Sequence, residues 1–242
     1  MSRKKKNGNG SIGNSEYIKE NSETSNKKSS LKKRIVITAK TENQKLLLKS
    51  IKDNIITIVY GDAGSGKTRL SVLQGLKDFE SGKYNKLIFT RPCVEANGEN
   101  LGFLPGDLNE KIHPYMIPIF DFLLEYIDSR QIEYYMDENK IMTLPLAFQR
   151  GTTFSNSYVV LDEAQNTTVE QVRMFLTRIG DSDCKIVLTG DTHQTDIRGQ
   201  NGLSDAITRL GGIPGVGIIQ FTDEDVQRHP IVIEIEKKYM ES

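Results

Sequence analysis

From about Leu31 onward, short apolar runs rich in β-branched residues alternate with longer amphipathic stretches. The runs "IITIVY" (55–60), "KLIFT" (86–90), "YVVLD" (158–162), "KIVLTG" (185–190), "VGIIQF" (216–221) and "IVIEI" (231–235) read as strands. Their near-continuous hydrophobicity suits parallel strands covered on both faces. Between them, "NQKLLLKSIKDN" (43–54), the segment after residue 66 and "TVEQVRMFLTRI" (168–179) carry helical spacing. Such alternation predicts an α/β fold, a mainly parallel sheet with helices on both faces and a ligand at the strands' carboxyl ends.

Residues 92–150 break the alternation. Pro105, Pro114 and Pro118 punctuate the first half, after which Met116, Ile119, Phe120, Leu123, Leu124 and Ile127 share one helical face. That stripe reads as core or a subunit contact. The stretch is expected to elaborate the same domain, and no repeat of solenoid length is visible.

The 32 Lys and Arg balance the 32 Asp and Glu overall, but residues 1–34 hold ten basic residues against three Glu. With almost no apolar residues, this segment buries too little to offset the entropy of ordering and is expected to be a disordered basic tail. Residues 35–242 then form the folded domain. The tail is either a salt-sensitive hold on a phosphate polymer or a solubilising arm. No apolar run is long enough to cross a membrane. Cys93 and Cys184 are too few and too distant for a disulfide framework, and His113, His193 and His229 lack ligand spacing. A reducing, cytoplasmic setting fits.

The chemistry begins at "YGDAGSGKTRLS" (60–71). Gly61, Asp62, Ala63, Gly64, Ser65, Gly66, Lys67 and Thr68 match the phosphate-loop spacing, with Arg69 following in the same nucleotide-binding segment. Glycines let backbone N–H groups approach phosphates at a helix N-terminus. Lys67 is expected to reach the β- and γ-phosphates of ATP, and the Thr68 hydroxyl to ligate Mg²⁺. In "YVVLDEAQN" (158–166), Asp162 ends a strand beside that metal, and Glu163 suits polarisation of an attacking water. The acidic couplet favours hydrolysis over transfer to a small acceptor, and no Asn-Lys-x-Asp run points to guanine.

Gln194, in "KIVLTGDTHQTD" (185–196), is placed to sense the γ-phosphate, with Thr189 and Asp191 close by. Gln44 precedes the loop on a helix; it either pairs with adenine N6 and N7 or is a solvated side chain. Arg228 either stabilises transition-state charge, from the same subunit or the next, or is a surface charge.

Together these segments resemble the PhoH-like family of P-loop ATPases, whose core is similar to one RecA-like domain of a superfamily-1 helicase. The resemblance rests on "NQ" (43–44), "GDAGSGKT" (61–68), "TRPCVEANGENLGFLPGDLNEKIHPYMIPIFD" (90–121), "QRGTTFSNSYVVLDEAQNTT" (149–168), "MFLTRIGDSDCKIVLTGDTHQTD" (174–196) and "DVQRHPIV" (225–232). It implies ATP binding and Mg²⁺-dependent hydrolysis, a homo-oligomer of ring form and a link to RNA. Thr90 and Arg91 fall where helicases of that type touch single-stranded RNA or DNA. Two other readings remain: a nucleotide-dependent switch that moves no strand, and a small-molecule phosphotransferase.

Overall fold

In the computed structural model of the chain, the described residues are 32–92, 108–149, 151–181, 183–197, 199–228, and 231, 232, 234, 235 and 238. Nearly all of the basic tail, together with Cys93, Pro105, His229 and "LGFLPGD", lies outside them. Lys32, which the sequence places in the tail, donates its backbone N–H to the Tyr126 carbonyl at 2.8 Å. Its ammonium reaches the Leu124 carbonyl at a helix C-terminus, also at 2.8 Å, where a cation is favoured.

Helix α1 (Glu42–Asp53) starts at Thr41, whose hydroxyl accepts from the Gln44 N–H, and buries Leu47 and Ile51 four residues apart. Strand β1 (Ile56–Tyr60) feeds the glycine-rich loop, and helix α2 (Lys67–Glu80) leaves it. Then follow β2 (Lys86–Arg91), α3 (Leu108–Leu124), α4 (Ser129–Asp137), β3 (Ile141–Pro145) and β4 (Ser157–Leu161). Helix α5 (Val169–Leu176), opened by a Thr168–Gln171 capping box, β5 (Cys184–Gly190), α6 (Gly202–Leu210) and β6 (Val216–Gln220) complete the order.

The six strands form one sheet in the order β3-β2-β4-β5-β1-β6, and every pairing is parallel. Alternate residues feed two cores. Val59, Leu87, Phe89, Tyr158, Val160 and Val187 face α1 to α4, whereas Ile58, Ile88, Val159, Leu161, Ile186 and Leu188 face α5 and α6. Burial on both faces explains the unbroken apolar runs in the sequence. Opposing Tyr60 to Gly190 and Leu161 to Leu188 aligns the carboxyl ends of β1, β4 and β5. That edge is where an open parallel sheet binds its ligand.

Three expectations change. The prolines do not break α3; it runs through Pro114 and Pro118. Both lie on its exposed side, where water can satisfy the carbonyls they leave unpaired, while Met116, Ile119, Phe120 and Leu123 are buried opposite. The elaboration also supplies an edge strand, β3, which the sequence reading missed because Met142, Leu144 and Pro145 interrupt any β-branched run. "IVIEI" is not a strand: residues 231, 232, 234 and 235 are helical. Strand propensity yields to context when no partner strand is offered.

Candidate active site

The strand ends converge on a cavity of about 320 Å³ whose lining includes Gly64, Lys67, Thr68, Asp162, Glu163 and Gln194. Ala63, Gly66, Arg69, Phe122, Gly190 and Asp191 complete its wall.

Sequence makes the loop possible at two tight points. Gly61 has φ 140°, and a Cβ there would sit 2.3 Å from the Phe221 carbonyl oxygen; Gly64 has φ 82°, and a Cβ there would meet Arg228 Nε at 2.4 Å. Arg228 therefore lies against its own subunit's loop, and the preceding Gln227 N–H donates to the Gly64 carbonyl at 3.0 Å.

Lys67 is 7% exposed. Its ammonium donates to the carbonyls of Gly61 and Asp62, both at 2.6 Å, and to Ser65 Oγ at 3.1 Å. Burial pulls its pKa below the usual lysine value, against the opposing charges of Asp191, Glu163, Asp162 and Asp62. Asp62 contributes its backbone to the loop; its carboxyl faces a second cavity and is held above the ordinary range, chiefly by a hydrogen bond with Asp223. Ser65 is fully buried. Arg69 turns to Glu125, donating at 2.5 and 2.9 Å, and stays on the cavity wall.

Asp162 is 2% exposed. Its Oδ1 accepts from the Thr68 hydroxyl at 2.6 Å and from the Thr189 hydroxyl. Its Oδ2 takes two bonds from the Arg91 guanidinium, one from Nε at 2.8 Å and one from Nη2. A hydroxyl and a carboxylate on adjoining elements are oxygen donors of the kind Mg²⁺ takes alongside phosphate oxygens, so the residues fit that ion.

Glu163 has φ 57° and ψ 39°, the left-handed region, which is strained for a side chain of this size. That turn aims its carboxylate at Gln165, whose amide donates to Oε2 at 2.6 Å. The Gln165 side-chain Oε1 accepts from the Asp191 N–H at 3.0 Å, tying the β4 and β5 loops together. The sequence reading missed Gln165, although it stands two residues beyond Glu163 in "DEAQN".

Gln44 is buried beneath the loop, its amide donating to the Ser65 carbonyl at 3.0 Å and accepting from the Lys40 N–H at 2.7 Å. Asp225, another residue missed, holds this corner. It is 1% exposed and accepts from Thr41, from Asn43 at 2.8 Å and from the Thr222 N–H at 2.8 Å. The pattern Thr222-Asp223-Glu224-Asp225, a capping box on a one-turn 3₁₀ helix, was the available signal.

Burial alone raises the Asp225 pKa, but the hydrogen bonds from Thr41, Asn43 and Thr222 overcome it and leave the group below the ordinary carboxylate value. A depressed folded pKa means stability present above the unfolded pKa of about 3.9 and lost as pH falls through the lower folded value. Asp225→Asn should therefore cost about 1–3 kcal/mol at pH 7. The melting-temperature deficit should shrink as pH falls from about 4 toward the lower folded pKa, because the unfolded carboxyl protonates first. A deficit unchanged between pH 3 and pH 7 would show that the charge is irrelevant.

Thr90 and Arg91, which the sequence offers to nucleic acid, end β2 beside the site. Thr90 is 1% exposed, and its buried hydroxyl has no hydrogen-bond partner among the described residues. The Arg91 side chain is 14% exposed and engaged with Asp162.

An all-parallel sheet with a glycine-rich loop after its first site strand and an acidic strand end beside it defines a P-loop NTPase with a RecA-like core. The PhoH-like protein family model matches residues 36–240. This chain belongs to that family. It is 43% identical over 205 residues to a PhoH-like protein of Bacillus subtilis, covering 84% of this chain and 64% of the relative. It is 39% identical over 196 residues to protein PhoH of Escherichia coli, covering 79% and 55% respectively. The chain thus spans less than two thirds of these curated relatives. Among solved structures, the UvsW helicase from bacteriophage T4 aligns with a TM-score of 0.49 and 13% identity, covering 86% of this chain and 66% of that one. Among the described residues no helix is long and apolar enough to cross a membrane.

Proposed function

We propose that the chain binds ATP with Mg²⁺ in this cavity and hydrolyses it, as an RNA-associated, helicase-like ATPase. The observation that carries the reading is the meeting of Lys67, Thr68, Asp162, Glu163 and Gln194 around one cavity. Family membership supports it.

In this reading, Lys67 and the loop N–H groups hold the phosphates. Thr68 and Asp162 would hold Mg²⁺, which when bound neutralises phosphate charge. Glu163, oriented by Gln165, takes the proton from the attacking water, and Gln194 contacts the γ-phosphate or that water. The left-handed turn at Glu163 points to function, because strain of this kind persists where the surroundings require it. Gln44 first braces the loop. Its amide has two donors and two acceptor sites, of which the bonds to Ser65 and Lys40 use one each, and the others are offered to adenine N7 and N6. Arg228, already on the loop of its own chain, supplies positive charge in cis.

Residues 35–242 form the catalytic unit in this proposal, residues 1–34 an arm that holds a phosphate polymer, and a second copy closes the cleft. The test is release of phosphate by the purified chain with single-stranded RNA, with single-stranded DNA and with neither, beside its mass in solution. Mg²⁺-dependent turnover stimulated several-fold by RNA is expected, from an oligomer. Turnover indifferent to polymer would remove the RNA part, and labelled phosphate on an acceptor without free phosphate would overturn hydrolysis.

A further inference from the structure

We propose that Arg91 is the resident counter-ion of Asp162, exchanged for Mg²⁺ when nucleotide binds, and that this exchange releases helix α3. The proposal rests on the assignment of Thr68 and Asp162 as the metal-holding pair.

Asp162 is almost wholly buried, and a buried carboxylate needs compensation. Two hydroxyls on Oδ1 are neutral donors; among the described residues the Arg91 fork on Oδ2 is the cation that directly contacts this carboxylate. A guanidinium keeps its charge at any working pH. It therefore leaves only by moving.

Two features make movement the consequence of metal binding. Mg²⁺ demands near-ideal octahedral oxygen geometry at short range, and the Thr68 hydroxyl and Asp162 Oδ1 are now bonded to each other at 2.6 Å. Admitting the ion spreads that pair. It also brings a dication beside the guanidinium on one carboxylate, where like charges repel.

The other end of Arg91 gives the exchange a readout. Nη1 donates to the Tyr115 carbonyl at 2.7 Å, so the same fork that neutralises Asp162 also fastens α3 to the end of β2. When the fork leaves Asp162, it loses the partner that orients it toward α3. Helix α3 carries Phe122, which lines the cavity, and Glu125, which holds Arg69, follows it directly. Site occupancy is thus linked to a large surface element without a separate sensor.

Competition lowers the apparent affinity of the displacing ion by the fraction of molecules in which the pair is closed. The test titrates Mg²⁺ into wild type and Arg91→Gln, each with a fluorescent ADP analogue, and repeats the nucleotide titration in EDTA. Arg91→Gln should reach half-saturation at five- to twentyfold less Mg²⁺, with nucleotide affinity in EDTA unchanged. Hydrogen exchange in residues 115–124 should rise with Mg²⁺–ADP in wild type and already be raised in ligand-free Arg91→Gln. Should Arg91→Gln fail to fold, Arg91→Lys, which keeps the charge but not the fork, carries the same comparison with a smaller shift.

An unchanged Mg²⁺ requirement overturns the proposal, as does weaker Mg²⁺–ADP binding in the variant, which would place Arg91 on the phosphates. Wild type that takes up no ADP would instead sink the nucleotide reading. The exchange of residues 115–124 on adding Mg²⁺ alone then decides the role of Arg91.

Discussion

Glu163→Gln should leave ATP bound and stop its turnover, lowering kcat about 10²–10⁴-fold, the range lost with a positioned general base. The amide matches the carboxylate in shape, so the cavity and its phosphate contacts remain, and the dissociation constant for ATP should move by no more than about threefold. Gln165 now donates to the Glu163 carboxylate at 2.6 Å. A glutamine offers a carbonyl oxygen for the same bond, so the β4 and β5 loops stay linked. Only the capacity to take a proton goes. A second substitution separates chemistry from folding. Glu163 stands at φ 57°, and strain of that kind costs about 1–3 kcal/mol; Glu163→Gly removes it. That variant should melt no lower than wild type and be as inactive as the glutamine variant. Stability and activity pulling apart at one residue is what a functional, strained position predicts. Full turnover by Glu163→Gln would mean that another group activates the water.

The parts of this molecule that could be read in advance are those in which one local pattern has one physical cause. Strands β1, β2, β4 and β5 lie in the middle of a sheet covered on both faces, and β6 flanks them at an edge with half-buried residues. Their β-branched runs left little choice, and the glycine and lysine spacing of the loop was equally local. Strand β3 failed the test because pairing with β2 is a non-local event and Met142, Leu144 and Pro145 interrupt any β-branched run. The reading of residues 231–235 failed for the converse reason: a short β-branched run also fits a helix when no strand edge takes it.

The site shows the same division. Lys67, Thr68 and Asp162 follow from motif spacing, but Arg91 lies 71 residues from the carboxylate it neutralises. Nothing within either segment announces that pair. Gln44 stood out in the sequence as a candidate for adenine, and its bond to the Ser65 carbonyl depends on where α1 packs. Asp225 joins residues more than 180 positions apart, so its importance emerges only when the chain is folded. The contacts that brace this site are therefore a tertiary product, whereas the loop and strand-end residues largely follow a sequence motif.

Lys67→Ala should weaken ATP binding on the order of 10²-fold or more, with turnover lost at any practical concentration. The side chain makes three hydrogen bonds, two of them to carbonyls at 2.6 Å, and bonds from a charged donor contribute about 1.5–3 kcal/mol each. Those bonds hold the loop before nucleotide arrives; in the bound state the same ammonium is to serve the phosphates. Its loss also changes the field. Asp162, Glu163 and Asp191 share the cavity wall, and without the lysine their combined charge opposes a triphosphate. Lys67→Arg should not restore binding, because a planar fork cannot fill a seat shaped for a compact ammonium. Nucleotide titration by calorimetry, beside circular dichroism to show that the fold survives, measures both variants. If Lys67→Ala binds ATP as wild type does, the loop is not the phosphate seat and the roles given to Thr68 and Asp162 fall with it.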